Sequence, residues 1–119
     1  MRIPVSGTND EALVDAATDC RELISGLGAR MANEKKAFWL RGLVLTNEHS
    51  TDAGVVELWD QDEGAGEAAN QKLAIIVPAN TTLVLDFPPP GIKFETNCVA
   101  SASAGTFAAY SQHAMGYLE

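Results

Sequence analysis

From Lys36 onward, apolar and polar residues alternate with a period of two, and each break in the alternation is made of turn-forming residues. Side chains repeat at that spacing across a pleated strand, so the pattern commits most of the chain to sheet. Residues 36–47 (KAFWLRGLVLTN) read as one long strand, with Gly42 marking a bulge or a close approach of another backbone. The polar run 47–52 (NEHSTD) ends it. Residues 54–59 (GVVELW) then alternate, with Val56 and Leu58 on one face and Val55, Glu57 and Trp59 on the other. Residues 72–77 and 81–87 form two further strands joined by Pro78-Ala79-Asn80. Leu83, Leu85 and Phe87 share a face that should meet Val56 and Leu58.

Pro88-Pro89-Pro90-Gly91 has three consecutive residues without an N–H donor and cannot lie within a sheet. It reads as a rigid loop carrying the chain across to a second sheet. Residues 92–94, 98–102 and 106–111 complete the set, with Ala104-Gly105 as a hairpin turn. Strands at intervals of roughly ten residues are the mark of a small sandwich. The expected fold is therefore all-β: a single β-sandwich of about seven to eight strands, Ig-like or jelly-roll-like, over residues 20–119.

The first 35 residues are open to two readings. Thr8-Asn9-Asp10-Glu11 fits a capping box, after which Leu13, Ala16, Ala17 and Cys20 would share a helical face. Alternatively, residues 1–19 are an extended arm, Cys20–Ser25 begins the sheet, and Gly26-Leu27-Gly28 turns it.

Bulk composition narrows the function classes. A chain of 119 residues with 46% hydrophobic content has enough apolar mass for one core. Eight basic against sixteen acidic residues give a net charge of −8, a field that repels phosphate backbones and anionic membranes. Neither nucleic acid nor membrane is expected as a partner. With no apolar run of signal-peptide or membrane-spanning length, synthesis in the cytoplasm is expected. Cys20 and Cys98 then read as reduced core residues, a disulfide being the alternative in a particle that leaves the cell.

The most suggestive polar stretch is 57–71 (ELWDQDEGAGEAANQ), where Asp60, Asp62, Glu63 and Glu67 surround two glycines. An EF-hand loop needs ligands at positions 1, 3 and 5 and a bidentate Glu at 12, between helices. Here the fifth position is Gly64, the twelfth is Gln71, and strands flank the loop. It reads as the solvated tip of a β-hairpin, with no metal and no cofactor. His49 falls in a turn and His113 in the C-terminal tail, without a second ligand at useful spacing. No nucleophile elbow and no phosphate loop is visible, so no catalytic residue is assigned and no enzyme is expected. Trp39 and Trp59 remain. They fit a core residue and a half-buried cross-strand partner respectively, exposed rings for stacking sugars, or anchors of a protein interface.

Between Leu43 and Tyr110 the order of segments resembles a recurrent set of small β-sandwich proteins encoded among the virion genes of tailed bacteriophages. The matching segments are Leu-Thr-Asn47, Glu-Leu-Trp-Asp60 before a Gly-rich loop, Pro78-Ala-Asn-Thr-Thr82, Leu-Val-Leu-Asp-Phe87 and Gly91-Ile-Lys-Phe94. The resemblance implies a structural protein of the virion, most readily a head decoration or cement protein on the capsid surface. It would bridge major capsid subunits, cluster as a homo-trimer on the particle and perform no chemistry. The N-terminal segment lies outside the resemblance, where an arm would suit clamping onto a neighbour. The competing class is a tail-associated or carbohydrate-binding recognition module.

Overall fold

The computed structural model describes residues 1–110 and 112–119. Nine strands among them build two antiparallel sheets that face each other as a small sandwich. The first sheet contains β1 (Ile3–Thr8), β9 (His113–Leu118), β3 (Phe38–Asn47) and β6 (Thr81–Asp86) in that order, with β7 (Ile92–Phe94) also on β3. The second has the order β2 (Arg21–Glu22), β8 (Cys98–Ser103), β4 (Gly54–Asp60) and β5 (Gln71–Val77). Inward-facing Phe38, Leu40, Leu43, Leu45, Val56, Leu58, Phe94, Cys98, Ala100 and Leu118 fill the space between them and are fully buried. Val56 and Leu58 share the inner face as the alternation requires, and Leu83, Leu85 and Phe87 pack against the same core.

The long strand β3 organises the first sheet because it pairs along both edges. Its register against β9 slips by one residue between Leu40 and Gly42, so a bulge does lie at this glycine. A Cβ at Gly42 would stand 2.8 Å from Met115 Cγ, so the bare backbone makes room for the methionine.

Four expectations need correction. Residues 1–19 are not an arm beside the domain, and no helix starts at Thr8. Instead, β1 pairs with β9 along its whole length, from Ile3↔Leu118 to Thr8↔His113. Leu13 is buried in the core, and Asn9, within the expected capping box, is buried with its amide donating to the Glu11 carbonyl. The helix α1 (Leu27–Glu34) lies instead where a turn was read. Gly26 enters it with φ 81°, Leu27 and Met31 sit one turn apart on its buried face, and Arg30 pairs with Glu34 at 2.8 Å.

The Pro88–Gly91 loop does not carry the chain to the other sheet. Both β6 and β7 pair with β3, end to end along one edge, and the prolines fill the gap that cannot pair. The crossing occurs earlier, at Pro78-Ala79-Asn80, because β5 belongs to the second sheet and β6 to the first. Finally, residues 106–110 are irregular rather than a strand, and Ser111, the last residue of that expected strand, lies outside the described residues. The Thr106 N–H and carbonyl are engaged by Asn47 Oδ1 and the Glu48 N–H, which fix the segment as a loop. The final strand starts at His113, within the stretch read as a tail.

Candidate functional site

The acidic loop between β4 and β5 is folded onto the protein. Asp60 accepts hydrogen bonds from the backbone N–H groups of Glu95, Thr96 and Asn97 at 2.8–3.4 Å, so its carboxylate holds the turn between β7 and β8. Glu63 Oε2 accepts from the Glu22 N–H at 3.0 Å, Gly64 and Cys20 exchange backbone hydrogen bonds, and Gly66 donates to the Ala16 carbonyl. The expected solvated hairpin tip is thus a flap tied to residues 15–22. Among the described residues, no group of three His, Cys, Asp or Glu side chains stands close enough to hold a metal ion.

Beneath the flap lies Trp59. Its outward orientation follows the strand alternation, yet it is only 5% exposed, packed with Cys20, Val99 and Ala16 in a second small core. Its indole N–H donates to Ser101 Oγ at 3.0 Å. Trp39 has the complementary fate. It sits half-buried on the outer face of the first sheet, its ring stacked on Tyr117 at 6.3 Å with a 12° interplanar angle. Lys93 Nζ stands over the Trp39 ring at 5.4 Å and the Arg2 guanidinium over Tyr117 at 4.5 Å. The assignment of core to Trp39 and half-burial to Trp59 is therefore reversed. Alternation gave the faces, but the loop after β4, tied down onto Ala16, Cys20 and Glu22, covers one outer face and leaves the other open. Trp59 cannot anchor an interface without moving that flap.

Trp39 also borders a cleft of about 800 Å³ between α1, β7 and the chain end. Lys35, Lys36 and Lys93 line it together with Asp62, Glu95 and Glu119, so its charges balance, and Lys93 already pairs with Glu95 at 3.2 Å. Its lining includes no Cys, His or Ser.

The histidines stay apart. His49 Nδ1 accepts from the backbone N–H groups of Thr51 and Asp52, closing the turn after β3, while His113 pairs across from Val44 and Thr8. Cys20 and Cys98 are both free and buried, but in different clusters, on the outer and inner faces of the second sheet. Burial pushes the Cys20 thiol up to about 11, with Asp19 and Glu57 adding to the effect. Burial, aided by Asp60, raises Cys98 further. A thiolate is the reactive form, so both are held inert.

The surface with the clearest unmet demand lies along β5 and β6, the unpaired outer strands of the two sheets on one side of the sandwich. Their inward residues Leu73, Ile75, Leu83 and Leu85 are only half-buried, while those of β3 and β4 are closed off. At the rims, Ile76 is 69% and Val84 77% exposed. Residues 71–87 contain one Lys and one Asp, so the whole net charge of −8 lies elsewhere in the chain. Sequence periodicity assigned these strands correctly but could not say that no other described segment would cover their outer edge. No family model matches the chain, and no curated protein matches it in sequence.

Proposed function

We propose that this chain is a non-enzymatic structural protein of a tailed-phage particle, a decoration or cement protein on the outer surface of the head. In this role it bridges neighbouring major capsid subunits, clusters three-fold on the shell and requires no cofactor. The observation that carries the reading is the open, largely apolar side of zero net charge formed by β5 and β6 in an otherwise acidic molecule. Contiguous apolar surface of this kind is a feature of protein contacts, whereas unpaired strands left bare invite aggregation. The order of sequence segments between Leu43 and Tyr110, with its resemblance to virion sandwiches, supplies the particle. Many copies on a symmetric shell turn individually small contacts into firm attachment.

A carbohydrate-binding module is the less supported reading. Sugar stacking needs an open aromatic face, and Trp39 is flanked by Tyr117 and Lys93 while Trp59 is buried. The test is to mix the purified chain with undecorated heads and follow sedimentation and heat resistance. Co-sedimentation with raised heat resistance is expected. Localisation to tails alone, or micromolar glycan binding without binding to heads, would end the decoration reading.

A further inference from the structure

We infer that the open β5/β6 side is where copies of this chain meet each other, with the β5 rim of one copy against the β6 rim of the next. This rests on the reading of that side as an interface and names its occupant. Two strands with free outer edges lie there, and they differ in the charge they carry. Lys72 projects from β5 and Asp86 from β6; both are exposed, and neither forms an ion pair among the described residues.

The tight Pro78–Asn80 connection folds β6 back beside β5. Lys72 stands five residues before the end of β5 and Asp86 five after the start of β6, so the two charges lie at the same level. Packing β5 of one copy against β6 of another therefore brings Lys72 of the first to Asp86 of the second, while Ile76, Val84 and the half-buried leucines cover one another. Copies with a net charge of −8 repel over most of their surface, and this side is where a second copy approaches without that cost. A capsid surface rich in Lys and Arg would instead be drawn to the acidic remainder, which leaves this side for the chain itself.

Because both rims lie on the same side of the molecule, the contact closes either as a two-fold pair, in which Lys72 meets Asp86 twice, or as a ring. The contact is modest. A seven-residue strand is ~23 Å long and packed sheets stand ~10 Å apart, well short of the ~800 Å² per partner of a standard interface. Association in dilute solution is accordingly weak and strengthens when the shell concentrates the copies.

The experiment uses the full chain alone, without heads. Sedimentation equilibrium up to the solubility limit should show concentration-dependent self-association. Lys72→Glu and Asp86→Lys should each weaken it about tenfold or more, and the double exchange should restore it, because the pair is then rebuilt with its signs reversed. Both sites are exposed, so folding should be unaffected. Hydrogen exchange on the unaltered chain gives an independent reading: amides of residues 71–77 and 81–86 should gain protection as concentration rises. A monomer at every concentration, or an assembly indifferent to both charges, would overturn the inference. Self-association without binding to heads would end the decoration reading and leave this one standing.

Discussion

The two long sides of the sandwich are made from the same repeating apolar pattern and end in opposite states. On the side of β1 and β2, the connection 9–35 folds back over the sheet edges and seals them. Leu13, Leu23, Ile24, Leu27 and Met31 are buried there, Ala102 donates to the Val14 carbonyl alongside β8, and Ser25 donates to the Thr8 carbonyl. Arg21 pins the connection through Glu11 at 3.0 Å, Asp19 at 3.5 Å and the Ala12 carbonyl. On the side of β5 and β6, only Pro78–Asn80 joins the two strands, and no segment among the described residues covers them. A sandwich edge is finished by chain that returns to it, not by the strands themselves.

The comparison predicts its largest effect for removal of residues 1–19. This would take away β1, Leu13 and Ala16, which packs on Trp59 and Cys20, so cooperative thermal unfolding should be lost. An arm used only for attachment would instead leave a domain that melts like the parent; circular dichroism decides between them. Next come paired truncations on the two sides. Leu23→Ala on the sealed side should cost ~2–5 kcal/mol in urea unfolding, and Leu83→Ala on the open side less than half as much, because its site already faces solvent. Equal costs would mean that the open side is packed as firmly as the sealed one. Phe87 is half-buried as well, so Phe87→Ala should likewise fall below the ~3–5 kcal/mol of a buried phenylalanine.

Asp60→Asn should cost about 1–2 kcal/mol, since it weakens charge-assisted hydrogen bonds from three backbone N–H groups. Asp62→Asn, by contrast, should stay within the ~0.5 kcal/mol of an ordinary surface change. The sequence pattern treats both as loop acids, and only the turn at residues 95–97 distinguishes them. The smallest effect concerns the thiols. At pH 8, Cys20 and Cys98 should resist alkylation in the folded protein, while a cysteine introduced as Val84→Cys on the open side should react at once. Both thiols titrate higher in the folded state than the ordinary value of 9.0, Cys20 at about 11. The unfolded chain therefore releases these protons first as pH rises, and stability should fall from about pH 9 upward. A stability profile flat to pH 11 would show that the thiols are not desolvated.

Local alternation was enough to read β3, β4, β5 and β6, the bulge at Gly42 and the inner face of Val56 and Leu58. It failed where an element's character depends on a distant partner. Residues 3–8 (IPVSGT) carry little alternation and become a strand because β9 offers a full edge to pair with. Residues 106–110 look like a strand but join no sheet, since Asn47 and Glu48 hold their start in a loop. Asn47 itself, 1% exposed and bonded to Asp52, Val77, His49 and Thr106, looked like one more polar residue of a turn. No local signal marks such a hub.

By itself, then, the sequence determined the all-β class, most strand positions, the faces of those strands and the acidic charge, because each depends on neighbours two residues away or on simple summation. The tertiary structure decided which tryptophan is buried, which carboxylate is structural, where the chain changes sheets and which side stays open. Each of these depends on what a segment many residues away covers or leaves bare, and the energy of burial belongs to the pair of surfaces rather than to either stretch of chain.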